Sequence, residues 1–332
     1  MLLESFSSDE LRPSLLHEVE AFLDSQHTAH PFQFPHWSDA GAKLLLFRDG
    51  GKIRWSGLFS VYPPLGRKAP WIRAALANRG PVCDDQALFQ QAAAQLPEAF
   101  RRERLCYIEI SPERILDSAE GAMLPDAPSW TRTKTHRVSL RLNLTASEHE
   151  LFANFRKNSR YEVRRAERAG TIVKEASSDA EIEEFLQAYR ELAARKGFAP
   201  DELDRMRRQI RWLVNSESRG ALLLARHENV VRGGVVIARA ARRCWYVWGA
   251  TRMKPNLNVG QILQWEALRW AKRHGCTEYD FGGYTPGATS GPAWFKAGFG
   301  GTEVHFAPAA RRILKPVQYR AMHLLLRTKA SD

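Results

Sequence analysis

Two segments, Tyr279-Asp280-Phe281-Gly282-Gly283 and Trp294-Phe295-Lys296-Ala297-Gly298-Phe299-Gly300-Gly301, place a carboxylate and a lysine on either side of a glycine pair, with ten residues between the segments. Lys296 can serve as a fixed cation for a developing negative charge, or as a surface lysine paired with Asp280. Asp280 is a general base if it faces a cleft, and otherwise a partner of backbone amides. Gly282 and Gly283 close a strand, where a missing Cβ admits a ligand or simply makes a turn. Upstream, Arg156, Arg160, Arg164 and Arg168 recur every four residues, with Lys157 and Arg165 beside them. On a helix they form one basic ridge. Glu162 and Glu167 neutralise part of it, as on an ordinary solvated face, yet six cations in thirteen positions repel one another unless a polyanion is near. Arg205 can clamp a phosphate bidentately or pair with Asp201 or Glu202. Strand alternation predicts Tyr246 and Trp248 on one face and Trp245 on the other.

The elements that must carry these residues alternate between helix and strand, which predicts an α/β layered fold. The first half reads as a helix over 11–25, a hairpin with strands 43–48 and 52–62 around Asp49-Gly50-Gly51, a helix over 86–102 and a strand over 105–111. The second half reads as a long helix over 147–169 ended by Gly170, a strand over 171–174, helices over 179–196 and 201–215, a second hairpin, an aromatic strand over 244–249, a helix to His274 and a strand over 277–281. Leu44-Leu45-Leu46-Phe47-Arg48 before the first hairpin has a counterpart in Leu222-Leu223-Leu224-Ala225-Arg226 before the second, which is what two copies of one fold would leave. The boundary is expected near Thr145.

A chain of 332 residues, 44% hydrophobic and 26% charged, can build one large or two ordinary cores, and lacks the run of about 18 apolar residues that a membrane span requires. The first dozen residues carry Glu4, Asp9 and Glu10 and show no secretory pattern, so a cytoplasmic location is expected, with the inner face of the membrane as an extension of it. Four scattered cysteines without clustered histidines predict reduced thiols and no metal site. Forty-nine Lys and Arg against 37 Asp and Glu give a net charge of +12, which favours a polyanionic partner or an anionic surface.

The joint pattern Y-D-hydrophobic-G-G then F-K-x-x-F resembles the FemABX family in its compact, FemX-like form, and the likeness spans about residues 32–306. Arg79-Gly80-Pro81-Val82, the basic helix, Asp204-Arg205-Met206 and Trp245-Tyr246-Val247-Trp248 agree in order. The resemblance implies two tandem GNAT-like domains with mixed sheets and no coiled-coil arm: residues 1–145 completed by the tail 306–332, and 146–305 with the motifs. It implies transfer of an amino acid from aminoacyl-tRNA, as co-substrate and without a cofactor, to the amine of a peptidoglycan-precursor peptide or small peptide-like metabolite. Phe295, Lys296 and Asp280 would then be catalytic. Arg205, Tyr246, Gly282, Gly283, Lys43, Glu109 and Ser111 would bind substrate, and Arg156, Lys157, Arg160, Arg164, Arg165 and Arg168 would contact tRNA. The family's Asp before Pro is here Ser111-Pro112, with Glu109 on the same strand face, and Lys43 lies farther from Trp37 than the family's lysine does from its tryptophan. Both departures bear on the acceptor more than on the transfer.

Two other readings remain. An N-acyltransferase with a coenzyme A or carrier-protein thioester needs a glycine-rich pyrophosphate turn, whereas Pro255-Asn256-Leu257-Asn258-Val259-Gly260-Gln261 holds one glycine. A noncatalytic RNA- or lipid-binding module is suggested by the segment 311–327, where Ile313, Leu314, Val317, Leu324, Leu325 and Leu326 lie among Lys and Arg, although its apolar face would also complete the first domain.

Overall fold

The computed structural model describes residues 3–8, 11–39, 41–83, 85–116, 124–133, 137–216 and 218–327. The chain forms two compact units, Met1–Arg137 with His305–Asp332, and Val138–Val304. The first runs β1 (Glu4–Ser7), α1 (Pro13–Ser25), β2 (Lys43–Asp49), β3 (Lys52–Tyr62), β4 (Ala74–Asn78), β5 (Val82–Cys83), α2 (Gln86–Ala99), β6 (Tyr107–Ser111) and β7 (Thr131–Arg132). Gly50 and Gly51 turn the β2–β3 hairpin with φ of +56° and +78°, a region that favours glycine. Helix α2 is capped by Asp85, whose carboxylate accepts from the Leu88 N–H. It ends at Ala99, earlier than the expected Arg102, and a short tight turn leads to Arg104 with left-handed backbone.

The second unit runs β8 (Val138–Asn143), α3 (Glu148–Ala153), α4 (Lys157–Arg168), β9 (Ile172–Glu175), α5 (Asp179–Lys196), α6 (Leu203–Val214), β10 (Gly220–His227), β11 (Val230–Ala240), β12 (Arg243–Thr251), α7 (Gly260–Arg273), β13 (Glu278–Gly283), α8 (Gly291–Ala297) and β14 (Thr302–His305). Its sheet is ordered β14-β8-β13-β12-β11-β10-β9. Helices α4 and α7 pack together, α7 lies on β10 and β11, and α5 and α6 form a second helical pair against the same sheet. The central core joins Val235, Ile237, Leu268, Trp270, Phe281 and Phe299.

Two expectations need correction here. The single helix over 147–169 is two helices. Ser147 and Glu150 form a capping box that starts α3, and the Arg156 N–H then leaves the helical ladder to bond the Gly298 carbonyl at 2.8 Å. The boundary near Thr145 is also late. Strand β8 precedes it yet pairs with β13 through Asn143–Glu278 and Arg141–Asp280, so the division falls between Arg137 and Val138.

The tail returns to the first unit as β15 (Ala310–Ile313) and α9 (Pro316–Arg327), where β15 pairs with β6 and β7. That sheet is ordered β1-β2-β3-β4-β6-β15-β7, with β5 beside β3. The order repeats in the second unit as β9-β10-β11-β12-β13-β8-β14. In both, the neighbours joined by a 14-residue helix, β4 with β6 through α2 and β12 with β13 through α7, are parallel. A β-bulge also recurs at equivalent hairpin ends, between Phe47 and Arg48 and between Ala225 and Arg226.

Candidate functional site

In the second unit the ladder between β12 and β13 covers Arg243–Glu278 to Trp245–Asp280 and goes no further, although β12 continues to Thr251 and β13 to Gly283. The two strands part at their carboxyl ends. A bulge in β12 increases the parting, because consecutive residues Val236 and Ile237 of β11 face Trp248 and Tyr246 and skip Val247. This overturns the expected alternation. Tyr246 now shares a face with Gly249, and Trp248 lies with Trp245 on the other. A Cβ on Gly249 would sit 2.2 Å from the Tyr246 hydroxyl, so glycine there makes room for the phenol. The phenol walls a cavity of about 360 Å³, together with Val235, Gly249, Leu263, Pro292 and Phe295. Burial pushes its pKa up to about 12, with Tyr189 adding to the effect.

Lys296 projects from α8 beside this cavity. The residue is only 9% exposed, and its ammonium donates to the Gly283 carbonyl at 2.6 Å and lies 5.7 Å from the Tyr246 ring centroid. Burial lowers its pKa to about 8, against the pull of Asp280. The rest of its motif fixes it in place. Phe299 is fully buried against Phe155 and Phe281, and Gly298 lets Ser159 of α4 come so near that a Cβ would meet the hydroxyl at 2.4 Å. Phe295 stacks edge-on against Phe299 and turns its own ring to the cavity.

Asp280 lies too deep to act as the expected base. Its carboxylate accepts from Arg141 Nε at 2.8 Å, from the Gly282 N–H at 2.8 Å and from the Ser139 hydroxyl, and the residue is 1% exposed. A carboxylate so occupied is the anchor of a strand end. The Gly282 N–H can turn inward because Gly282 has φ +71° and sits in a bulge of β13 against β8. That bulge aims the Gly283 carbonyl at Lys296. Gly283 itself has open space beyond its Cα, whereas a Cβ on Gly282 would touch the Tyr246 carbonyl at 3.5 Å.

The basic ridge divides in two. Arg160 is spent on structure, because its guanidinium donates to the Ala153 and Phe155 carbonyls that the break between α3 and α4 leaves open. Arg156 is not in the helix; it precedes α4 and covers the Trp294 ring at 4.6 Å. Arg165 lies 3.7 Å from Glu162. Lys157, Arg164 and Arg168 are exposed, with Arg164 over Phe152. Arg205 sits half-buried in the first turn of α6 and does not line the cavity by Tyr246.

In the first unit, Glu109 and Ser111 share a face of β6 and line a separate cavity of about 340 Å³ with Asn78, Arg137 and Arg311. Glu109 is held by Arg311, whose guanidinium also donates to the Tyr319 hydroxyl at 2.7 Å. Lys43 is not with them. It begins β2, with β3 and β4 between it and β6, and is paired with Glu103. The four cysteines are free and buried, and among the described residues no His, Cys, Asp and Glu cluster could hold a metal and no helix is long and apolar enough to cross a membrane.

Residues 153–296 match the Acetyltransferase (GNAT) domain family. Among solved structures, FemX superposes with a TM-score of 0.75 at 16% identity, over 96% of this chain and 99% of FemX. The chain has the FemX-like tandem GNAT fold. The structure of L-PGS from Bacillus licheniformis follows the same course with a TM-score of 0.58 at 14% identity, over 95% of this chain and 97% of that one. A tandem GNAT protein from the clavulanic acid biosynthesis pathway does so with a TM-score of 0.53 at 12% identity, over 93% and 98%. No curated protein matches the sequence. At these identities the likeness is one of fold.

Within the FemX-like fold, Arg141 and Ser139 are the residues that sequence reasoning missed. Their signal was present, because polar side chains alternate with apolar ones along Val138-Ser139-Leu140-Arg141-Leu142, and an arginine in such a strand needs a buried partner. The partner, Asp280, is a strand neighbour far away in the chain.

Proposed function

We propose that the protein transfers an aminoacyl group from aminoacyl-tRNA to an amine, such as that of a peptidoglycan-precursor peptide or a small peptide-like metabolite. The observation that carries this reading is the buried Lys296 ammonium, held by the bulged strand end where β12 and β13 part, beside a mostly apolar cavity. Attack of a neutral amine on the ester carbonyl gives a tetrahedral oxyanion. A cation preorganised in a partly desolvated site stabilises that charge by roughly 2 to 4 kcal/mol, on the scale of oxyanion donors in other enzymes. Collapse of the intermediate forms the amide, and the proton that the attacking nitrogen sheds goes to the departing ribose oxygen, which leaves the tRNA end as a free hydroxyl. Asp280 is saturated, so the proton of the acceptor ammonium passes to solvent at the open mouth. Lys157, Arg164, Arg168 and Arg205 are assigned to phosphate contact, Tyr246 and Phe295 to the aminoacyl group, and Glu109 and Ser111 to the acceptor.

A thioester donor has less support. The N-terminus of α7, where a pyrophosphate would sit, has its Gly260 N–H taken by the Asn258 side chain at 3.1 Å. The test is incubation with radiolabelled aminoacyl-tRNAs and bacterial precursor amines, with and without ribonuclease. Label should enter the acceptor in a ribonuclease-sensitive manner. Incorporation from acyl-coenzyme A that ribonuclease leaves untouched would replace this reading with the thioester one.

A further inference from the structure

Helix α9 is apolar on two sides. Its inner side, with Tyr319 and Met322, packs on Ala69, Ile72, Ala74 and Tyr107 of the first unit. Its outer side carries Val317, Ala321 and Leu324 at helical spacing, with Leu325 adjoining, and Val317, Leu324 and Leu325 are 82%, 65% and 54% exposed. The loop on which α9 rests presents Trp71, 69% exposed, among the exposed cations Arg67, Lys68 and Arg73, and Arg320 is exposed on the helix itself. None of these four cations forms an ion pair with a described residue. No Asp or Glu occurs from Pro63 to Ala75 or from Ala307 to Arg327, so both segments that build this surface carry no acidic residue.

That composition separates the occupants. RNA would use the cations and Trp71 but gain nothing from a row of aliphatic side chains. A second copy would bring the same cations against these, on a molecule of net charge +12. An anionic bilayer satisfies every part: aliphatic side chains enter the acyl boundary, an indole sits at headgroup level, and arginines and lysines meet lipid phosphates.

We propose that α9 and the Arg67–Arg73 loop form a docking surface for an anionic phospholipid bilayer. Docking is independent of the transfer reaction, and its success or failure is read without turnover. Flotation with phosphatidylcholine vesicles, with and without phosphatidylglycerol, should show binding only to the anionic vesicles, weakening as salt rises. Each cation at such a surface accounts for about a fivefold change in partition, so Arg67→Gln, Lys68→Gln and Arg73→Gln together should weaken binding on the order of a hundredfold. Leu324→Glu with Leu325→Glu should abolish it, and Trp71→Ala should lower it severalfold. Circular dichroism checks folding, and should the leucine variant unfold, the other two variants carry the test. Lys296→Met should bind vesicles as the parent does, which separates docking from catalysis. Absence of parental binding to phosphatidylglycerol vesicles overturns the proposal, as does parental binding by the cation variant. So does a dimer, seen by light scattering, that the leucine variant dissolves while vesicle binding persists.

Discussion

Replacing Lys296 with Met keeps most of the apolar stem and removes the charge. Two effects on stability oppose each other. The pKa falls from 10.5 to about 8 in the folded protein, so burying the charged form costs about 3 kcal/mol at neutral pH, and Met relieves that cost. It also leaves the Gly283 carbonyl without its donor, at a cost of about 1 to 3 kcal/mol. Thermal stability should therefore change little, while turnover at saturating aminoacyl-tRNA falls about a hundredfold or more, equivalent to at least ~2.7 kcal/mol of lost transition-state stabilisation. The pH dependence is a second readout. With the lysine protonated below about pH 8, turnover should decline as pH rises through that value, and Lys296→Arg should move the decline to higher pH if any activity survives. Stability behaves in the opposite sense. The folded state binds fewer protons than the unfolded one between about pH 8 and 10.5, so this lysine's destabilising contribution is present in full below that window and fades across it. The assay is single-turnover transfer of labelled amino acid with thermal melts in parallel. Near-parental turnover in folded Lys296→Met would refute the reasoning.

Other substitutions separate structure from chemistry. Asp280→Asn strands the buried Arg141 guanidinium and should cost about 3 to 5 kcal/mol in urea unfolding; an unchanged midpoint would return Asp280 to the list of bases. Arg160→Ala should lower stability by about 1 to 3 kcal/mol with little change in the salt slope of tRNA binding, whereas Arg164→Ala with Arg168→Ala should weaken tRNA binding and flatten that slope, both measurable by filter binding. Gly249→Ala should displace the Tyr246 phenol, cost about 1 to 3 kcal/mol in melting and reduce turnover; a fully active, equally stable variant would show that the phenol's position is immaterial.

The elements legible in the sequence are those whose ends are set by near neighbours. Helix α5 falls at the expected 179–196 because the Ser178 side chain accepts the Glu181 N–H at one end and Gly197 adopts left-handed backbone at the other. The first hairpin needed only Asp49-Gly50-Gly51, and the motif around Lys296 was visible because its glycines and aromatics must recur together to hold α8. The break between α3 and α4 had no such local sign. It depends on a hydrogen bond from Arg156 to Gly298, and that bond also decides that Arg160 caps carbonyls and is not available to phosphate.

Composition, periodicity and turn chemistry thus determined the class of layers and the hairpins, whose repetition hinted at a duplication, while Lys296 stood out only through the motif that resembles the FemABX family. Tertiary structure decided what each polar residue does. Whether Asp280 is a base or an anchor depends on Arg141 of a strand far away in the chain, and which face Tyr246 takes depends on a bulge set by pairing with β11. Both outcomes rest on contacts between distant segments. Spacing along one chain fixes the face of a regular element, but a buried charge takes its role from the partner that replaces its lost water, and that partner is chosen only when the sheet closes.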